Sequence, residues 1–93
     1  MRRLRSLSEA AGPTHDLLSM LRELYLCAGE PSTRTIARRT HALSHDTVYR
    51  VLIGPGLPRW GPLELVVEAL EGDVEAFRLL WIAARRGMDR DGA

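Results

Sequence analysis

A chain of 93 residues makes one domain at most, since domains commonly run to ~100–200 residues, and this excludes most multi-site enzymes. An apolar fraction of 45% against 27% charged is that of a soluble globular protein, which excludes wholesale disorder. The net charge of +1 does not by itself advertise a polyanionic partner, and the lone Cys27 excludes an intrachain disulfide and fits a reducing compartment as a buried core thiol.

Gly12-Pro13-Thr14 breaks the chain ahead of Leu17, Leu18, Leu21, Leu24 and Ala28, whose three- and four-residue steps predict a first helix closed by Gly29. Ser32 after Pro31 predicts the cap of a second, short helix reaching Thr40, with Ile36 and Ala37 inward. Beyond His41-Ala42-Leu43, Ser44 caps a third helix with Val48, Val51 and Leu52 on one face, ended by Gly54-Pro55-Gly56. Leu57-Pro58-Arg59-Trp60 reads as a connector. Gly61-Pro62 opens a fourth helix with proline at its first position and with Leu63, Val66, Val67 and Leu70 inward, and Gly72 closes it. Asp73 caps a fifth, with Val74, Phe77, Leu80, Trp81 and Ala84 facing the core and Arg85-Arg86-Gly87 as its exit.

No segment alternates with period two, so the fold class expected is all-α: one helical domain over residues 14–87. Residues 1–13 form a lead-in expected to be mobile, although Leu4, Leu7 and Ala11 suit one extra helical turn, and residues 88–93 form a tail. No apolar run approaches the ~18–20 residues that cross a bilayer, and the basic start lacks a continuous apolar signal core. A cytoplasmic protein is expected.

The small net charge hides an uneven distribution. Residues 1–61 hold nine arginines against five acids, and residues 62–93 hold four arginines against seven. From Pro31 to Trp60 there are five arginines and only Asp46. All basic residues are arginine, which a GC-rich genome accounts for, yet each guanidinium fork can still grip a phosphate or a guanine edge in two places.

The segment Ser32-Thr33-Arg34-Thr35-Ile36-Ala37-Arg38-Arg39-Thr40, followed by Leu43-Ser44-His45-Asp46-Thr47-Val48-Tyr49-Arg50-Val51-Leu52-Ile53-Gly54, resembles the helix-turn-helix of the Xre, or lambda-repressor-like, family. The continuation Leu57-Pro58-Arg59-Trp60-Gly61-Pro62-Leu63-Glu64, with Phe77 to Trp81, is similar to the version found in high-GC Gram-positive bacteria. The resemblance covers roughly residues 15–86. It implies a compact five-helix lambda-repressor-like domain whose third helix enters the DNA major groove. One departure stands out: the family's glycine position is held by His41, and the capping serine, Ser44, comes one residue late. The turn is one residue longer, so the family's docking geometry is not carried over.

With Val48, Val51 and Leu52 inward, Asp46 and Arg50 project from the opposite face of the third helix, with Thr47, Tyr49 and Ile53 at its edges. Ser44, His45 and Asp46 lie where recognition helices reach base edges, and Arg50, one turn deeper, is the candidate for guanine. Spacing alone allows a second role, in which Asp46 and Arg50 form a solvated i,i+4 ion pair. Thr33 and Arg34, at the start of the second helix, suit a phosphate, and the family places a backbone contact there. Arg38 extends that grip or lies on a solvated face, as Arg39 does. Arg59 can reach another phosphate or stack on Trp60. Trp60 and Trp81 read as core.

No catalytic inventory is present, and an enzyme is not expected. His41 and His45 have zinc half-site spacing but lack partner cysteines, Cys27 has no cationic neighbour in sequence to activate it, and no glycine-rich phosphate loop follows a strand. No cofactor is implied. The expected function is sequence-specific binding of double-stranded DNA by a bacterial transcription regulator, associated with the nucleoid when bound. A single module of such low charge binds weakly, so a homodimer is expected, with the acidic last third as its surface or as the surface for another protein. The alternative is a helical protein-binding adaptor that keeps this fold, as the amino-terminal part of a larger protein.

Overall fold

The computed structural model describes the backbone of residues 2–92 and the side chains of residues 12–88. The chain forms five helices, α1 (Arg2–Cys27), α2 (Thr33–Thr40), α3 (His45–Ile53), α4 (Trp60–Ala69) and α5 (Val74–Gly92), and no strand occurs among the described residues. The protein is all-helical. The expected break at Gly12-Pro13 is a kink: Gly12 takes φ 83° and ψ 178°, which a side chain would resist, and helical backbone continues on both sides. The side chains of Leu4, Leu7 and Ala11 lie outside the described residues, as does the expected mobility of the lead-in.

Local chemistry sets most other boundaries. The Ser32 hydroxyl accepts from the Thr35 amide at 3.1 Å, the Ser44 hydroxyl from Thr47 at 3.2 Å, and the Asp73 carboxylate from Ala76 at 3.1 Å, so three helix starts carry the caps expected of them. Two boundaries differ. Helix α4 begins at Trp60, with Pro62 in its third position, because proline is tolerated anywhere in a first turn whose amides have no intrahelical acceptor. Helix α5 runs through Gly87 to Gly92: one helical glycine costs only about 1 kcal/mol and no proline follows.

The core is contiguous. Leu17 and Leu21 of α1, Ile36 of α2, Val48 and Val51 of α3, Leu63, Val66 and Val67 of α4, Leu70 at its end and Phe77 of α5 pack together and are buried. Full burial of each large side chain contributes about 1.5–3 kcal/mol relative to exposure. Helix α1 packs chiefly on α5, α2 lies against α3 and α4, and α4 touches α5. At the α4–α5 corner a Cβ on Gly72 would stand 2.5 Å from Leu24 Cδ2 and 3.1 Å from Val67 Cγ1, so glycine lets the corner close on α1. Glu71 before it takes the left-handed conformation, φ 60°.

Cys27 is exposed, not a core thiol. It lies about 120° around α1 from Leu21, off the inward face. Ala28 shares the direction of Leu21 but stands beyond the last turn of α1, and it too is exposed.

Candidate nucleic-acid interface

The turn between α2 and α3 is built on two residues. His41 takes the left-handed conformation at φ 59° and ψ 11°, and its amide bonds the carbonyls of Ala37 and Arg38 at 3.2 Å. It does there what a glycine would do, at greater conformational cost. Thr40 ties the turn together. Its hydroxyl donates to the Ala37 carbonyl at 2.7 Å and accepts from the amides of Ala42 at 3.2 Å and Leu43 at 3.0 Å, fastening the end of α2 to the entry of α3. Leu43 packs on the core, and Ser44 then starts α3.

Helix α3 turns the expected faces. Val48 and Val51 are buried and Leu52 is half-buried, while Asp46 and Arg50 are exposed, with Tyr49 55% and Ile53 59% exposed beside them. The expected alternative of an Asp46–Arg50 pair is not formed: the Asp46 carboxylate lies 3.4 Å from His45 Nδ1. Arg50 has no ion-pair partner among the described residues. The Ser44 and Thr47 hydroxyls lie 3.0 Å apart and are engaged with each other as well as in the cap.

Thr47, Arg50 and Arg59 come together. They line an open cleft of about 510 Å³, walled by Val51, Leu57 and three prolines, Pro55, Pro58 and Pro62, with no acid in the lining. The loop carrying Arg59 is held from behind by Trp81 of α5, whose indole N–H donates to the Pro58 carbonyl at 2.9 Å. Trp81 also meets Trp60, ring centroids 6.0 Å apart and tilted by 50°, so the aromatic partner of Trp60 is Trp81 and both rings pack against the core.

Thr33 stands elsewhere. With Tyr49 it lines a second groove, of about 350 Å³, between the end of α1 and α3, alongside Arg22, Leu26 and Ile53. Arg34 and Arg38 are exposed on α2 and line neither hollow. Arg39 is no simple solvated side chain: its guanidinium donates to the Ala69 carbonyl at the end of α4, at 3.4 Å, where a cation complements the helix dipole. Sequence reasoning missed Thr40, for which a threonine ending a helix before a polar turn was the available signal, and Arg22, which only the approach of α1 to α3 brings to the groove.

Among the described residues no group of three His, Cys, Asp or Glu is gathered to hold a metal ion, and no helix is long and apolar enough to cross a membrane. Fold and site together define a small all-helical protein with an open, arginine-bearing helix face. No family model, no curated protein and no solved structure matches the chain.

Proposed function

We propose that the protein binds double-stranded DNA sequence-specifically, as a bacterial transcription regulator of the Xre, lambda-repressor-like kind, with α3 in the major groove. The observation that carries this reading is Arg50: an unpaired guanidinium on the outward face of α3, sharing an acid-free cleft with Arg59. Burial of Val48 and Val51 commits the opposite side of α3 to the core, which leaves this face for a partner. In the proposal Arg50 grips a guanine edge, Ser44, His45, Asp46, Thr47 and Tyr49 lie along the groove, and Thr33, Arg34, Arg38 and Arg59 meet phosphates. Two copies act together, since a module of net charge +1 releases few counterions alone.

Anisotropy titration of a labelled random-sequence duplex at low and at moderate salt tests the reading. Binding at low salt that weakens steeply as salt rises is the expected result, and absence of binding at low salt, with concentrated protein, overturns it.

One feature favours the adaptor alternative. Leu26, Tyr49 and Ile53, exposed around the second groove, give α1 and α3 a partly apolar surface of the sort that receives a protein partner. Duplex binding that Tyr49→Ala and Arg50→Ala both leave unchanged would favour it.

A further inference from the structure

The cleft that Arg50 shares with Arg59 has a chemistry that a DNA edge does not use. A phosphate or a guanine edge calls for charge and hydrogen-bond donors, and the two arginines supply both. The walls, however, are Val51, Leu57 and three prolines. Proline has no N–H, so three wall positions offer apolar surface and no backbone donor. Both arginines are exposed, neither is in an ion pair among the described residues, and no acid lines the cleft. Its volume, about 510 Å³, falls within the ~300–1,000 Å³ of small-molecule sites.

The cleft is held in shape from several sides. The Gly54 amide donates to the Arg50 carbonyl at 2.9 Å, and a Cβ on Gly54 would collide with that oxygen, so glycine keeps the chain tight against the end of α3 where it turns into the wall. Leu57 packs on the core, and the Trp81 indole bonds the Pro58 carbonyl from behind. A preformed site binds without the cost of ordering a loop. We infer that this cleft is a binding site for a small organic anion, an oxyanion carried on a flat apolar body such as an aryl phosphate or aryl carboxylate. The lining selects that class. A guanidinium forks an oxyanion in two places and stacks on a flat ring, while Leu57 and the prolines cover the ring from water. Inorganic phosphate would leave the apolar walls wet, and a neutral arene would leave both guanidinium groups without a partner. Because Arg50 is the residue assigned to the guanine edge, an anion in the cleft blocks the outward face of α3 and acts as an effector that releases DNA. That consequence rests on the proposed function, whereas the site itself does not.

Heteronuclear NMR titration of the full chain without DNA tests the site on its own. Naphthyl phosphate and naphthoate are the probes, and the tighter of the two identifies the oxyanion. Binding should be saturable and should shift the amides of Arg50, Val51, Leu57 and Arg59, while inorganic phosphate and naphthol bind at least about tenfold more weakly. Arg50→Ala and Arg59→Ala should each weaken the tighter probe about tenfold, with spectra that show the fold intact. Arg86 stands on α5 with Glu75, Leu79 and Ile82, on the side away from Phe77 and Ala84, and does not line the cleft, so Arg86→Ala should leave binding unchanged. Binding that the two cleft variants leave unaltered, or inorganic phosphate bound as tightly as naphthyl phosphate, overturns the inference. A second arm adds labelled duplex. Naphthyl phosphate at about ten times its dissociation constant should weaken duplex affinity about tenfold, and inorganic phosphate at equal ionic strength should not. A cleft that fills in a parent unable to bind duplex leaves the site standing and refutes the DNA reading. Duplex binding by a parent that takes neither naphthyl anion does the reverse, and a filled cleft that leaves duplex affinity intact refutes the effector role.

Discussion

The outer faces of α3 and α5 are both solvent-facing sides of core-packed helices, yet they are built differently. On α3 the only acid, Asp46, lies against His45, so Arg50 is left without a counter-charge and shares a cleft with Arg59. On α5 an acid and a base bracket two apolar residues, and the face is neutral and symmetric. The net charge of +1 conceals this contrast, because the arginine-rich stretch from Pro31 to Trp60 is offset by acids that stand elsewhere in the chain. What separates the faces is where the counter-charges stand, which no total reports.

Both faces depend on one core, and the largest effect comes from breaking it. Val48→Asp places an unpaired charge at a fully buried position of α3 and should cost several kcal/mol, enough to unfold so small a domain. Urea melts in which the variant matches the parent would refute the inward facing of α3, and with it the outward facing of Arg50. Trp81→Phe is a smaller change that separates the two sides. It keeps an aromatic ring but removes the indole bond to the Pro58 carbonyl, for a loss of about 1 kcal/mol. The loop bearing Arg59 is then untethered, so duplex affinity should fall while the helical circular-dichroism signal stays that of the parent. Loss of that signal alongside affinity would mean that Trp81 supports the whole domain. His41→Gly should have the smallest effect and the opposite sign. It relieves a left-handed non-glycine residue and should raise the urea stability by about 0.5–1 kcal/mol.

The fold was legible because its determinants are local. Leu17, Leu21, Ile36, Val48, Val51, Leu63, Val66, Val67, Leu70, Phe77 and Ala84 repeat at helical steps and are all buried, and Ser32, Ser44 and Asp73 announce their helices by chemistry that reaches only three residues. The start of α4 and the end of α5 lie away from the limits that Pro62 and Gly87 suggest, because proline and glycine bias helix limits without fixing them. Cys27 reads as core from its apolar character, yet the spacing from Leu21 already sets it off the inward face of α1, where it is exposed. The candidate site was legible as a face and not as a geometry. The pairing of Asp46 with His45 rather than Arg50 is a choice of side-chain conformation. The Trp81 tether on the Arg59 loop spans 23 residues of sequence, and the bond from Arg39 to Ala69 spans 30. Neither leaves a periodic trace.

The central claim is that Arg50 reads a base while Arg34 holds the backbone, and one experiment asks for both. Arg50→Ala and Arg34→Ala are titrated beside the parent on a selected site and on unrelated duplex, across a range of salt. Arg50→Ala should cost about 1–3 kcal/mol on the selected site and much less on unrelated DNA, so that specificity flattens. Arg34→Ala should weaken both duplexes alike and reduce the salt slope by about one unit. If both variants bind like the parent, or if both lose affinity without regard to sequence, α3 is not the reading helix and the account is contradicted.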